Sequence, residues 1–412
     1  MPETIDALEP GTRLVHIGLP KTGSTALQYA AKTLKWELRD EGVNYPGKAE
    51  NHHKSTSWLA GLKIDYLPDP TPKEQWWRAV ERELDRFPDQ RGLLSFEMIC
   101  TADATGARRT VDEVGGHGKH PVHIVLVLRN LGTFVPSYWQ ESLKRGNTNS
   151  LDEYLRKALE DPAAVKASGA FHRTDGLGLL ERWANAVGPE NVTVVVLEKE
   201  HPTRLLDTFE GLLDLPEGLL HSKKLDGAGQ NRGMSAAEAA LVLRLNRQIR
   251  GKWRAPRPDH RALVFKGVVN RMLARRTPVE SEGKLMVPRW AADTLVEAGR
   301  LLVESVRSTG VRVVGDLAEL ERRVPYTDDA TFPPQEIPFD LAVEALLGMY
   351  SRATGWDANH KKRVGAGTGV EQLTEELAGA REEVARLTAE IEQLRGTSSR
   401  AGLARWGIRS PK

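Results

Sequence analysis

Residues 13–28, RLVHIGLPKTGSTALQ, set the class of fold. Leu14 to Ile17 are apolar and include β-branched side chains, the pattern of a buried strand. Gly18 and Pro20 break that strand. Gly23, Ser24 and Thr25 then open a helix that runs through Ala26, Leu27 and Tyr29 to Ala31. A strand, a tight loop and a helix N-terminus together make an anion site. First-turn N–H groups have no partner within the helix, and that end of the dipole is positive. Gly23 lets the backbone approach a phosphate with no Cβ in the way. Ser24 and Thr25 add hydroxyl donors, and Lys21 adds a full charge. The Walker pattern GxxxxGK[ST] has its lysine after the last glycine, whereas Lys21 precedes Gly23. The plainer reading of these residues is a Gly/Thr-rich turn with a solvated lysine.

Further strands follow at the spacing of βαβ units. RGLLSFEMI (91–99) carries Glu97 near its carboxyl end, and VHIVLVLRN (122–130) is a near-continuous apolar run ending in Arg129. Such a run suits a parallel strand covered on both faces. VTVVVLE (192–198) is a fourth strand. Between and after them, helical spacing is seen at Trp77, Val80 and Leu84, over 177–186 and over 205–213. Ser150 with Glu153 forms a capping box, and Ser235 caps a helix through Asn246. Two more helices are expected over 291–308 and 337–349. After Arg129, Gly132 and Pro136 read as a turn, so Ser137 opens the next helix; residues 101–119 read as a polar, Gly-rich loop. The expected class is α/β, a parallel sheet flanked by helices. Ligands of such sheets bind beyond the carboxyl ends of strands, which brings Glu97 near Lys21 if their strands are neighbours.

The 412 residues allow two or three domains, and the net charge of +2 argues against a nucleic-acid binder. No apolar run approaches the roughly 18 residues of a membrane span. The first residues lack the pattern of a signal peptide, and the single cysteine, Cys100, fits a reducing cytoplasm. The expected location is cytoplasmic, with a peripheral membrane position as the second option. The charge is uneven. From Arg244 to Arg289 basic residues dominate, around Trp253, Pro256 and Pro258. The plain reading is a solvated, partly flexible segment; the sharper one is a platform for an anionic acceptor or a lipid headgroup surface. Gly365 to Gly369 is a link. After it Val370, Leu373, Leu377, Ala380, Val384, Leu387, Ile391 and Leu394 alternate at three and four, a heptad seam. A homodimer through 370–395 is expected, against the alternative of one amphipathic helix lying on the main domain. The expected organisation is a domain over 1–330 with its motifs in 13–240 and a basic helical extension over 241–330. A Pro/Gly-rich linker with a short helix (331–369), the coiled coil (370–395) and a basic, disordered tail (396–412) complete it.

Pro20-Lys21-Thr22-Gly23-Ser24-Thr25 with Leu27-Gln28 resembles the 5′-phosphosulfate loop of sulfotransferases that use 3′-phosphoadenosine 5′-phosphosulfate (PAPS). Arg129 and Ser137, eight positions apart, resemble that family's 3′-phosphate motif, where the planar fork of arginine suits phosphate. The Tyr45-Pro46-Gly47 turn followed by His52-His53 is similar to a segment common after the loop in bacterial members. The resemblance implies a P-loop-like sulfotransferase fold over about residues 13–240, PAPS as cofactor and no required metal. It implies that Lys21, Thr22, Gly23, Ser24, Thr25, Arg129 and Ser137 hold PAPS. Arg232, from Asn231-Arg232-Gly233, is a weaker addition, since the cytosolic members have Arg-Lys-Gly. The implied reaction moves a sulfuryl group in line to a hydroxyl or amine of a carbohydrate, glycolipid or small metabolite. Lys21 would stabilise charge on the leaving phosphate oxygen. Glu97 is the first candidate for the general base and His53 the second, with His52 beside it. Two other readings stay open: a P-loop-like kinase using ATP, and a catalytically silent scaffold oligomerised by its coiled coil.

Overall fold

The structure, a computed structural model, describes residues 5–64, 67, 69–223, 232–328 and 336–356. The heptad segment 370–395, the link before it and the basic tail lie outside these. The chain divides into two units, Met1–Met349 and Tyr350–Lys412.

In chain order the first unit begins with strand β1 (Arg13–Gly18), helices α1 (Ser24–Thr33) and α2 (Lys35–Asp40), β2 (Val43–Asn44), α3 (His53–Ala60), α4 (Glu74–Asp85) and β3 (Arg91–Ser95). A 3₁₀ turn over Glu97–Thr101 leads to α5 (Ala104–Val114), β4 (Val122–Leu128), α6 (Leu131–Lys144), α7 (Leu151–Ala158), α8 (Leu179–Val187), β5 (Val192–Val196) and α9 (Arg204–Leu213). Then come α10 (Ala236–Asn246), a π-helical turn (Arg247–Lys252), α11 (Arg257–His260), a second π-helical stretch (Arg261–Val269) and α12 (Asn270–Arg275). The order ends with β6 (Val287–Pro288), α13 (Arg289–Thr309), β7 (Arg312–Val314), α14 (Ala318–Glu321), β8 (Tyr326–Thr327) and α15 (Phe339–Thr354).

Six strands form one sheet in the order β2-β3-β1-β4-β5-β7, every pair parallel. Period-two alternation divides its side chains between two cores. Val15, Ile17, Leu94, Ile124, Leu126 and Val194 face a core with Trp77, Phe134, Trp139 and Trp183 from α4, α6 and α8. Leu14, Leu93, Val125, Val127 and Val195 face the other, with Leu27 and Ala31 of α1 and Phe209 and Leu212 of α9. Both faces are thus covered by helices, which is why β1, β4 and β5 read as unbroken apolar runs. Among the described residues no helix is long and apolar enough to cross a membrane.

Several local expectations are corrected. The strand at 91–99 stops at Ser95, and Glu97 begins the 3₁₀ turn. Residues 101–119 hold α5, N-capped by the Asp103 carboxylate, which accepts from the Gly106 N–H at 2.7 Å. Ser137 does not open a helix. The helix starts at Leu131, where the Asn130 side chain accepts from the Gly132 N–H, so Ser137 lies in its second turn. Pro136 sits inside α6, where a proline removes one helical hydrogen bond and costs about 3 kcal/mol. Burial of Leu131, Phe134, Val135, Tyr138 and Trp139 offsets this, at about 1.5–3 kcal/mol for a fully buried large side chain. The basic stretch after Asn246 is not simply solvated: Val264, Val268, Val269 and Met272 of its helical part are buried. Edge strands β2 and β7 are only two and three residues long, too short to leave a periodic signal.

Candidate functional site

β1 has β3 on one side and β4 on the other. The chain leaves β1 toward β2 and β3, then crosses to β4, so the carboxyl end of β1 is a topological switch point, where open α/β sheets bind ligands. The Lys21 loop, Arg129 and Glu97 are the carboxyl-end extensions of these three adjacent strands. The sequence motifs therefore converge because of strand order.

The loop conformation is fixed locally. Gly18 has φ 107° and a Cβ there would lie 2.4 Å from the Glu97 carbonyl oxygen, so only glycine fits where the two strand ends meet. Lys21 (φ 66°) and Gly23 (φ 89°) are both left-handed, and Gly23 is the N-cap of α1. The Thr22 hydroxyl donates to the Leu19 carbonyl at 2.5 Å, closing the turn from inside. Ser24 is buried at the first position of α1, and its Oγ has no hydrogen-bond partner among the described residues. A buried hydroxyl with no partner among the described residues, at the N-terminus of a helix, fits an anion in the loop.

Arg129 leaves β4 and turns back over the loop. Its Nη1 donates to the Lys21 carbonyl at 2.7 Å and its Nε to Thr133 Oγ1 at 3.0 Å, while Nη2 has no partner among the described residues. Burial pulls this guanidinium below its ordinary pKa, so an anion at the open Nη2 would compensate a desolvated charge. Thr133, Ser137 and Glu141 are spaced by four along α6 and share one face. Glu141 Oε1 pairs with Lys21 Nζ at 3.0 Å and with Lys144 Nζ at 2.5 Å. Burial pushes the Glu141 carboxyl up, but Lys144 and Lys21 outweigh it and hold the group below the usual carboxylate range. Lys21 is therefore gripped at both ends, by Arg129 on its main chain and by Glu141 on its ammonium.

The three base candidates have different surroundings. Glu97 Oε2 accepts from the Gln28 amide at 3.0 Å, and the same amide reaches Ser95 Oγ at 3.1 Å, which is 2.8 Å from His16 Nδ1. Gln28, one turn after Ser24 on α1, thus joins the anion loop to Glu97. His52 is spent on structure: its Nδ1 accepts from the Ser95 N–H at 3.0 Å and its Nε2 faces the Pro46 carbonyl at 3.0 Å. Burial lowers its pKa to about 4. His53 begins α3 and stacks on Phe96, the residue before Glu97, with ring centroids 4.3 Å apart. Burial, helped by Lys54, lowers its pKa to about 4, so it is neutral at pH 7.

Arg232 is engaged elsewhere. Both terminal nitrogens bond to the fully buried Glu238 at 2.7 Å, and that carboxylate also pairs with Arg276 at 2.9 Å. The neighbouring Met234 N–H reaches Gln140 of α6 at 2.7 Å, so this segment lies against the helix that carries Glu141. Asp207, Glu210 and His221 bring metal-type ligand atoms within 4.8 Å of one another. Glu210 is already accepting from the Gly218 and Leu220 N–H groups at 2.8 and 2.6 Å, a role in holding the turn after α9.

Glu141 and Thr133 stand outside the sequence motifs, and Gln28 stands at the end of the Lys21 motif without a role of its own. The signal that was available is helical phase: Gln28 follows Ser24 by four, and Glu141 follows Ser137 by four. No family model, curated protein or solved structure matches this chain.

Proposed function

We propose that the chain is a PAPS-dependent sulfotransferase acting on a hydroxyl or amine of a carbohydrate, glycolipid or small metabolite. The observation that carries this reading is the pairing of two anion-holding features at one switch point. Among the described residues, the loop of Lys21 to Thr25 contains a buried hydroxyl, Ser24 Oγ, with no partner, and Arg129 hangs over the loop with one guanidinium nitrogen open. Bound PAPS supplies the sulfuryl group and a phosphate leaving group. The loop amides and Ser24 hold the 5′-phosphate, and Arg129, with Ser137 further along α6, takes the 3′-phosphate. Lys21 leaves Glu141 for the oxygen that bridges phosphate and sulfate, where its charge offsets the charge that develops. Glu97 takes the proton of the acceptor, with the Gln28 amide fixing its carboxylate. The reverse order of lysine and glycine speaks against the kinase alternative.

The deciding experiment is calorimetric titration of the wild type with adenosine 3′,5′-bisphosphate, adenosine 5′-phosphate and ATP. A desolvated charge pair is worth about 2–5 kcal/mol, so the bisphosphate is expected to bind at least about 30-fold tighter than the monophosphate. In Arg129→Ala that difference should collapse. Equal affinities in the wild type would remove the 3′-phosphate site, and preference for ATP would favour the kinase.

A further inference from the structure

Residues 244–261, RLNRQIRGKWRAPRPDHR, carry seven basic side chains and one acidic one, Asp259, in a chain whose overall charge is only +2. We infer that the turn around Trp253 is a docking face for an anionic lipid bilayer. The turn is built, with its apex held by two main-chain bonds. The Trp253 N–H donates to the Gln248 carbonyl at 2.8 Å, and the Ala255 N–H to the Ile249 carbonyl at 2.9 Å. Arg254 between them has φ 53°, a left-handed conformation that a non-glycine residue adopts only at a cost.

The result is a presented aromatic ring between two free cations. Trp253 is 71 % exposed, and no other large apolar side chain among the described residues is more exposed. The side chains of Lys252 and Arg254 are exposed and make no ion pair or hydrogen bond among the described residues. Arg247 and Arg250 behave differently: the first pairs with Glu153 at 3.2 Å and the second donates to the Ala255 carbonyl within the turn. A site for a small soluble anion would have its cations converge on one point. Here Lys252 and Arg254 flank a projecting indole, which suits a surface. Indole rings settle at the headgroup level, and unneutralised cations gain from anionic headgroups beside them. The stretch is also anchored on the helix that carries Glu141. Asn246 donates to the Leu143 and Asn147 carbonyls at 2.8 and 2.9 Å, at the end of the helix whose Glu141 pairs with Lys21.

The test is co-sedimentation of the full chain with vesicles, without nucleotide, so its result is independent of the sulfuryl-transfer reading. Vesicles of phosphatidylcholine alone are compared with vesicles of about one-third phosphatidylglycerol, at low salt and at about 0.5 M sodium chloride. Binding is expected only to the anionic vesicles and should weaken with salt. Each cation near the surface is worth roughly fivefold, so the double charge reversal Lys252→Glu, Arg254→Glu should lower affinity by at least about 25-fold. Trp253→Ala should lower it several-fold and leave the melting temperature unchanged, since the ring is solvated. Equal binding to neutral vesicles, or no effect of the double reversal in a folded variant, would overturn the proposal. So would heparin displacing the protein from vesicles while Trp253→Ala has no effect, which would mark a polyanion site. The wild-type salt and lipid series decides the matter even if a variant misfolds.

Discussion

At the scale of single residues, the proposed transfer depends on which group takes the acceptor proton. Glu97 is placed by two contacts: its main chain against Gly18 and its carboxylate on the Gln28 amide. His53 is tied instead to Phe96 by ring stacking. Glu97→Gln keeps the shape and removes the basic oxygen, so turnover of labelled PAPS onto an acceptor panel should fall by roughly 10² to 10⁴, with bisphosphate affinity unchanged. His53→Ala should do less. A larger loss for the histidine variant, with folding intact, would exchange the two roles. The sequence made Lys21, Arg129 and Glu97 legible because each follows an apolar run that reads as a strand. It left Glu141 hidden, because a partner 120 positions from Lys21 is set by strand order and helix phase together.

At the scale of elements, the long buried strands and capped helices were legible, and α5 was not. Its buried face consists of Ala104, Gly106, Ala107, Thr110 and Val114, small or polar residues that carry little apolar signal. The structure explains the small residues. A Cβ on Gly106 would lie 2.7 Å from the Ala60 carbonyl oxygen at the end of α3, so the two helices touch through backbone. Two effects oppose each other in Gly106→Ala. Helix propensity favours alanine by about 1 kcal/mol, while overpacking against backbone costs about 1–3 kcal/mol. Because the neighbour is main chain and cannot rotate away, overpacking should win, and urea denaturation should show a net loss of up to about 2 kcal/mol. A gain in stability would mean that α3 and α5 separate freely. The start of α6 is masked in the sequence for a related reason: Gly132 and Pro136 carry turn chemistry, and only tertiary burial overrides it. Gly132 has a packing purpose too, since a Cβ there would meet Val324 at 2.6 Å.

At the scale of the whole molecule, buried imidazoles couple the sheet to pH. His16, His52 and His123 are all almost fully buried, and burial lowers their pKa values to about 3, about 4 and about 4. In the unfolded chain each would titrate near 6.5. Their neutral forms favour the fold fully above that value. As pH falls below it, the unfolded state takes up protons that the folded state does not, so stability is lost down to the folded values. Each contributes a slope of about 1.4 kcal/mol per pH unit in that window. The melting temperature should therefore drop steeply from pH 6.5 to 4.5, and His123→Gln, which leaves a partner for Thr193, should flatten the drop. A level melting curve across this range would mean that the imidazoles are protonated inside the fold. The central position of β1 has a consequence for synthesis on the ribosome. Arg13 pairs with Gly92 on one side and with Val122 on the other, so β1 gains its second neighbour only when β4 has been made. At about 5–20 residues per second, roughly 5 to 20 s pass between the emergence of β1 and that of β4. Until then at least one edge of this buried, largely apolar segment stays open, and how that edge is sheltered bears on the yield of folded protein.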